Sequence, residues 1–256
     1  MGLEGRVAVV SGGGRGIGAG ISLALARDGA DVAMLYARDA ESAQDTARRI
    51  GELGRRAEPI QADIRDEAQA ASAIEAAMRA LGRIDILVNN AGIASRGLAV
   101  ADTDPAEMAN VVAVHAFGPF YLTRAALPHL REAAKERGRA DVLFISSGAT
   151  QFFGPNGAPY NMGKAAMEAL AFTLAKEERR NNIRVNIVAP GLVETEMGRR
   201  LVRATRGVDD MRQLDAHSPF GRVCQPEDIG NMVAFLCSDG ASYVTNQRIY
   251  VHGGGF

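Results

Sequence analysis

The chain has 256 residues, of which 47% are hydrophobic and 23% are charged, and such a chain can bury one substantial core. Its 29 Lys and Arg residues nearly balance its 30 Asp and Glu residues, so charge gives no reason to expect nucleic acid or an anionic membrane as a partner. The two cysteines, Cys224 and Cys237, lack the spacing of a metal site, and no apolar run approaches the roughly 20 residues of a membrane-spanning helix. We therefore expect a single, unprocessed cytoplasmic domain over residues 1–256, without a bound metal.

Short apolar runs alternate with longer helical segments along the chain. The runs are β-branched and nearly continuous, which is typical of strands covered by helices on both faces. They lie at residues 7–10, 32–35, 84–88, 142–145 and 185–188. Segments rich in good helix formers lie between them, at residues 17–27, 40–53 and 66–81 among others. Repeated strand–helix–strand units of this length predict a parallel sheet with right-handed crossovers.

A glycine-rich loop joins the first strand to the first helix and reads Ser-Gly-Gly-Gly-Arg-Gly-Ile-Gly over residues 11–18. Such a loop lets backbone N–H groups approach a pyrophosphate, and the helix N-terminus adds partial positive charge. A purely structural turn is the alternative, but the strand before the loop and the amphipathic helix after it favour nucleotide binding. The loop also favours an open sheet over a closed barrel. The predicted fold is α/β, a Rossmann-like doubly wound parallel sheet of about seven strands with helices on both faces.

Further motifs follow in a fixed order. They are Asn-Asn-Ala-Gly at 89–92, Ser147, Tyr-Asn-Met-Gly-Lys at 160–164, Pro-Gly at 190–191 and Gly-Gly at 253–254. Together with the loop spacing, they resemble the short-chain dehydrogenase/reductase family over nearly the whole chain, and 3-oxoacyl carrier-protein reductases most closely. The resemblance implies an oxidoreductase that interconverts a carbonyl and a secondary alcohol of a small molecule, and it implies a homotetramer.

Tyr160 and Lys164 are the candidate proton-transfer pair. Four residues separate them in a segment that is helical to about Arg180, so their side chains share one helix face. A tyrosine with the ordinary pKa of about 10 is a poor base, and we expect the neighbouring ammonium and the positively charged nicotinamide to stabilise the phenolate and lower that pKa. Ser147 follows the fifth strand, where its hydroxyl would bind the substrate oxygen. Ser146 is the alternative, but strand alternation sends it to the other face.

His115 stands where the resembled family has an asparagine that holds a proton-relay water. Histidine donates and accepts hydrogen bonds and titrates in the working pH range, so we predict that His115 preserves a relay. A histidine that only packs between helices is the alternative.

The choice of cofactor depends on charge after the second strand. A carboxylate there would bind the ribose of NAD(H), but the register places Tyr36 at that position. Arg15 and Arg38 are available to clamp the extra phosphate of NADP(H), unless they are only solvated surface residues, and Asp39 would blunt the preference. NADP(H) is therefore favoured over NAD(H). The candidate cofactor-binding residues, most of them assigned by the resemblance, are Gly12, Gly14, Arg15, Gly16, Ile17, Gly18, Arg38, Asp63, Ile64, Asn90, Ala91, Gly92, Tyr160, Lys164, Pro190, Gly191, Val193 and Thr195.

The resemblance assigns a substrate lid to residues 192–221. Its arginines would attract an acidic substrate, although such a run is more often a solvated helix face. Phe152 and Phe153 would offer apolar surface to a substrate, or would lie in the core. A nucleotide-binding sensor or scaffold with little turnover is the alternative function.

Overall fold

The computed structural model describes residues 2–218 and 220–254. At its centre is a seven-stranded sheet with strand order β3-β2-β1-β4-β5-β6-β7, and every neighbouring pair is parallel. The strands are β1 Val7–Ser11, β2 Asp31–Tyr36, β3 Ala57–Gln61, β4 Ile86–Asn89, β5 Ala140–Ile145, β6 Ile183–Pro190 and β7 Arg248–Val251. The strand order reverses between β1 and β4, and ligands of such sheets bind beside that point at the carboxyl ends of the strands.

Helices cover both faces of this sheet. They are α1 Gly16–Arg27, α2 Ala40–Glu52, α3 Glu67–Leu81, α4 Pro105–Val112, α5 Gly118–Arg137, α6 Ala149–Phe152, α7 Ala158–Glu178, α8 Glu196–Arg206 and α9 Pro226–Cys237. One apolar core joins the sheet to α3, α5 and α7, and a second joins it to α1, α2 and α9. Because the parallel strands are covered on both faces, β1, β4, β5 and β6 are buried along their whole length. The Rossmann-like prediction is confirmed.

A π-helical turn, Ala113–Phe117, separates α4 from α5. The sequence pattern did not predict it. It carries His115, which is 1% exposed, and turns of this kind occur frequently at functional sites. Close packing holds the turn in place, because a Cβ on Gly118 would lie 2.6 Å from Cδ1 of Ile64.

Residues 192–221, predicted to form a lid, contain α8 and a 3₁₀ turn over Met211–His217, whereas Pro219 lies outside the described residues. Val202, Met211 and Val223 form a small apolar cluster under α8, separate from the two main cores. Apart from Val193, which belongs to the second main core, the segment therefore has its own packing. No helix in the described ranges combines the length and apolarity needed to cross a bilayer.

Candidate active site

Tyr160 and Ser147 meet at the carboxyl end of β5. Ser147 lies just beyond the strand, and its hydroxyl hydrogen-bonds the Tyr160 side chain. The backbone N–H of Ala149 donates to Ser147 Oγ at 3.1 Å. Because that bond uses a lone pair of the serine oxygen, the hydroxyl proton remains available for another acceptor.

Lys164 lies one turn further along α7, on the same face. Its Nζ is 5.8 Å from the centre of the Tyr160 ring and donates to the carbonyl oxygen of Ile145 at 2.7 Å. The side chain is buried, and burial lowers its pKa to about 7, while Glu168 acts in the opposite direction. The ammonium is therefore held by a backbone carbonyl in a desolvated place.

The lowering of the Tyr160 pKa by Lys164 and a bound nicotinamide stays a prediction, whereas in the chain without the nicotinamide that pKa is raised. Burial raises the pKa of Tyr160, and the hydrogen bond from Ser147 only partly opposes that rise. The prediction relied on a fully charged neighbour, but desolvation also disfavours the charged form of Lys164.

His115 fits into a slot between two glycines. A Cβ on Gly92 would lie 2.7 Å from His115 Cε1, and one on Gly163 would lie 2.7 Å from His115 Cβ. The imidazole Nε2 is 2.8 Å from the carbonyl oxygen of Ile93 and 3.2 Å from the backbone nitrogen of the same residue, so it donates to the carbonyl in one tautomer and accepts from the N–H in the other. The ring also meets the Tyr160 ring edge to face, with centroids 5.2 Å apart.

Burial, helped by the charge of Lys164, lowers the pKa of His115 to about 3. The expectation that His115 titrates in the working range is therefore wrong, since the imidazole stays neutral there. Its Nδ1 is buried and has no hydrogen-bond partner in the described part of the chain. In the tautomer whose Nε2 donates to the Ile93 carbonyl, this atom is an acceptor beside the Tyr160 ring.

The glycine loop has the features of a phosphate cradle. Gly12 and Gly16 have left-handed φ values of 64° and 52°, which favour glycine. A Cβ on Gly18 would lie 1.9 Å from the carbonyl oxygen of Gly12, and one on Gly14 would lie 2.7 Å from Cα of Ala43. Side chains are thus excluded from the turn, and its backbone stays accessible.

Helix α1 begins at this loop without a capping side chain. Its N-cap residue, Arg15, makes no side-chain hydrogen bond to the first turn. The first N–H groups of a helix have no acceptor within the helix, so those of Gly16, Ile17 and Gly18 can bind an anion. The loop and helix together fit the pyrophosphate of a dinucleotide.

The two arginines expected to bind a phosphate differ in their surroundings. Arg15 pairs with Glu196 of α8 at 3.1 Å and with Asp39 at 3.7 Å, and its side chain is 64% exposed. Arg38 is exposed and forms no ion pair within the described ranges. Asp39 caps α2 by accepting from Ser42, so its carboxylate is already engaged.

Asp63 and Ile64, both assigned to the adenine end, are already in contact with protein groups. The guanidinium of Arg65 pairs with the Asp63 carboxylate, and this bond holds the Asp63 pKa below its usual range. The side chain of Ile64 is buried in the core. Only the backbone of Ile64 therefore remains for contact with a nucleotide.

The Asn90 and Ala91 segment supports the glycine loop. Asn90 Nδ2 donates to the carbonyl oxygen of Ser11 at 2.9 Å, and the N–H groups of Asn90 and Ala91 both donate to Ser11 Oγ. Gly92 completes the wall against His115. These three residues therefore shape the loop from the β4 side.

The β6 end continues the same wall. Gly191, after Pro190, lies close to His252, and Val193 is buried beside Cys224. Thr195 caps α8, because its Oγ1 accepts from the N–H of Gly198 at 3.0 Å. Thr195 also contacts the glycine loop, since a Cβ on Gly16 would lie 3.4 Å from it.

The proposed substrate-side residues are exposed. Phe152 is 57% exposed and Phe153 is 56% exposed, so the core alternative is wrong for both. Four of the lid arginines pair with nearby carboxylates, which favours a solvated helix face over attraction of an acidic substrate; they are Arg199, Arg200, Arg203 and Arg212.

One buried charge beside this site escaped the sequence analysis. Glu168 lies four residues after Lys164 and eight after Tyr160, on the buried face of α7. Its helical spacing was a usable signal, because residues at i and i+4 share one face.

Two findings show what this chain is similar to. A family model described as enoyl-(acyl carrier protein) reductase matches residues 12–255. An uncharacterized oxidoreductase of Methylorubrum extorquens is 38% identical over 252 residues, with 98% of each chain covered. A short-chain dehydrogenase/reductase of Pestalotiopsis microspora is 34% identical, with 98% of this chain and 96% of the relative covered.

Solved structures agree over the same length. The 3-ketoacyl-(acyl-carrier-protein) reductase of Brucella melitensis, complexed with NADH, has a TM-score of 0.87 and 33% identity, with 98% of each chain covered. A blue fluorescent protein from a metagenomic library, in complex with NADPH, has a TM-score of 0.86 and 32% identity, with 99% of each chain covered. Both nicotinamide cofactors thus occur among similar folds.

Proposed function

The chain belongs to the short-chain dehydrogenase/reductase family, and within it we propose an NADP(H)-dependent enzyme that uses Tyr160, Lys164 and Ser147 to interconvert a ketone and a secondary alcohol. It is an oxidoreductase that acts on CH–OH or C=O groups with a nicotinamide dinucleotide. The observation that carries the proposal is the phenol of Tyr160 between the Ser147 hydroxyl and the buried ammonium of Lys164.

Tyr160 moves the proton in this proposal. Its Oη donates to the carbonyl oxygen during reduction and accepts from the alcohol during oxidation. A bound nicotinamide supplies or accepts the hydride at the substrate carbon. Ser147 turns its hydroxyl proton from Tyr160 to the same substrate oxygen, while the N–H of Ala149 keeps its hydrogen bond to one lone pair of Ser147 Oγ.

Lys164 supports the phenolate when it is charged and helps to hold the nicotinamide ribose. His115 acts as a neutral acceptor through Nδ1: it holds a water by accepting a hydrogen bond from it, and the proton moves through that water while the ring stays neutral. This form of the relay differs from a titrating histidine and is compatible with the burial of the ring.

The preference for NADP(H) is supported by charge around the β2 end. Arg38 is exposed there, Tyr36 replaces the carboxylate that would bind the ribose of NAD(H), and Asp39 is engaged as a helix cap. Arg15 can turn from Glu196 to a phosphate, because exposed ion pairs are weak.

For the substrate we propose a 3-oxoacyl thioester or a related ketone with an apolar part. The support is the exposed aromatic surface of Phe152 and Phe153 after β5, together with the similarity to a 3-ketoacyl reductase. Residues 192–221 act as the lid, and the assembly is a homotetramer. The sensor alternative is not favoured, because the three groups needed for proton transfer are assembled in one place.

The test follows the absorbance of NADPH and NADH with a panel of ketones that includes a 3-oxoacyl thioester. We expect wild type to favour NADPH, and we expect Tyr160→Phe to lose about a thousandfold in turnover because the proton donor is removed. Tyr243→Phe, at a fully exposed tyrosine, is the matched control and should keep full activity. Turnover by Tyr160→Phe at the wild-type rate would contradict the catalytic assignment.

A further inference from the structure

Glu168 is a buried carboxylate that the proposed reaction does not use. Its side chain is 8% exposed. Oε1 accepts from Ser146 Oγ at 2.6 Å and from Thr150 Oγ1 at 2.8 Å, and Oε2 pairs with Arg248 of β7 at 2.7 Å. A buried carboxylate needs such partners, and here they come from two separate parts of the chain, the segment after β5 and strand β7.

The donors to Glu168 lie on both sides of Ser147 in the sequence. Ser146 precedes it, and Thr150 also lies 2.8 Å from the Ser147 carbonyl oxygen. Lys164 Nζ holds the carbonyl of Ile145, at the start of the same segment. Lys164 and Glu168, on consecutive turns of α7, are therefore both bonded to residues 145–150. The turn before them carries Tyr160, whose side chain hydrogen-bonds Ser147.

We propose that Glu168 is a positioning residue, which fixes the segment bearing Ser147 against α7 and supplies a negative charge that favours the ammonium form of Lys164. The inference rests on the proposed roles of Tyr160, Lys164 and Ser147. The hydrogen bonds set the distance between the Ser147 hydroxyl and the phenol, while the carboxylate charge acts along the helix on the ammonium.

Among the described groups around Lys164, Glu168 supplies the negative charge that acts on it. Tyr160 and Glu168 belong to its own helix, and His115 faces it from the π-helical turn as a neutral imidazole. In β5, the carbonyl oxygen of Ile145 accepts a hydrogen bond from Lys164 Nζ. Arg248 of β7 pairs with Oε2 of Glu168. Because Glu168 raises the pKa of Lys164 against the effect of burial, its loss extends deprotonation of Lys164 to lower pH.

The experiment compares Glu168→Gln with Glu178→Gln. Glu178 is also a buried carboxylate of α7, paired with Arg131 at the far end of the helix, so its variant reports a loss of packing alone. Each variant is assayed with NADPH and the ketone that wild type reduces fastest, for kcat, for KM and for the pH dependence of kcat/KM of the cofactor.

For Glu168→Gln we expect a tenfold to hundredfold fall in kcat, a KM for NADPH within about threefold of wild type, and a basic limb shifted about one pH unit downward. For Glu178→Gln we expect the wild-type kcat and pH profile despite lower thermal stability. A wild-type profile for Glu168→Gln, or the same changes in both variants, would overturn the inference.

A second variant separates the two roles and serves if Glu168→Gln does not fold. Ser146→Ala combined with Thr150→Val removes the hydrogen bonds to Oε1 and keeps the carboxylate charge, so kcat should fall while the basic limb stays in place. An unchanged kcat in this variant contradicts the positioning role. Failure of the proposed function is distinct, because it would appear as activity in Tyr160→Phe.

Discussion

At the amino ends of β4 and β5, the carboxylates of Asp85 and Asp141 are buried against guanidinium groups, whereas at the carboxyl end of β5 the ammonium of Lys164 is buried against a backbone carbonyl. Asp141 is 1% exposed and receives Arg6 and Arg184, each at 2.7 Å. The amino end thus neutralises each buried charge with a partner of opposite sign in direct contact.

The carboxyl end leaves its charges incompletely compensated. Burial lowers the pKa of Lys164 to about 7 and that of His115 to about 3. Perturbed groups of this kind cluster at functional sites, because catalysis needs protons that can move near neutral pH. The comparison shows that the amino end of the sheet pairs its buried charges and so stabilises the fold, whereas the carboxyl end holds groups whose pKa values are shifted by burial.

The largest expected effect tests the amino end. Asp141→Asn leaves the guanidinium groups of Arg6 and Arg184 buried with only carbonyl acceptors, so the free energy of unfolding should fall by about 3–5 kcal/mol. Urea unfolding measures this loss. Activity at a temperature where the variant is folded should remain close to wild type.

The matched control for that variant is Asp239→Asn. Asp239 pairs with Arg139 at 2.5 Å, but its side chain is 85% exposed, so its loss should cost less than about 1 kcal/mol. If Asp141→Asn and Asp239→Asn lost the same free energy of unfolding, burial of the ion pair would not be what stabilises the amino end of the sheet.

The next effect concerns Lys164. Its pKa is about 7 in the folded chain against the ordinary 10.5 of a solvated lysine, so between these values the unfolded chain binds a proton that the folded chain has released. Stability from this group is therefore gained as pH rises above about 7. Lys164→Met should remove this gain, about 1.4 kcal/mol for each pH unit between the two values.

The measurement is the free energy of unfolding of the cofactor-free protein from neutral to mildly alkaline pH. Lys176→Met, at an exposed lysine of the same helix, should keep the wild-type slope. If the free energy of unfolding rose equally with pH in wild type and in Lys164→Met, the ammonium of Lys164 would not be desolvated.

A smaller effect concerns His115. Its pKa is about 3 in the folded chain against the ordinary 6.5, so the unfolded chain binds the extra proton between these values and stability is lost as pH falls below about 6.5. At pH 5 the loss should be about 2 kcal/mol, and His115→Asn should not show it.

Thermal or urea unfolding at neutral pH and at pH 5 gives this difference, with His217→Asn at an exposed histidine as the control. His115→Leu tests the relay, because it removes the Nδ1 acceptor and should lower turnover. Wild-type turnover in His115→Leu would remove His115 from the proposed proton path and leave it as a packing residue.

Local patterns were enough to predict the fold and the catalytic candidates. The β-branched runs predict buried parallel strands because both faces of such strands meet apolar helices, and β1, β4, β5 and β6 are indeed wholly buried. The four-residue spacing of Tyr160 and Lys164 predicts a shared helix face from helix geometry alone, and both side chains lie on that face.

The electrostatic state of the site could not be read from those patterns. The neutral state of His115 depends on Gly92 and Gly163, which close around its ring from two other elements. The partners of Glu168 come from the segment after β5 and from β7, as far as Arg248 along the chain. Likewise, Arg15 meets Glu196 only because α8 folds back onto the glycine loop.

The amino-acid sequence by itself determined the order of strands and helices, the glycine loop and the helix face that carries the phenol and the amine, because each depends on neighbours within a few residues. The tertiary structure alone decided which of those groups lose water and which gain a partner of opposite charge. Desolvation and ion pairing depend on atoms brought together from distant parts of the chain, and these two effects set the pKa values on which the chemistry depends.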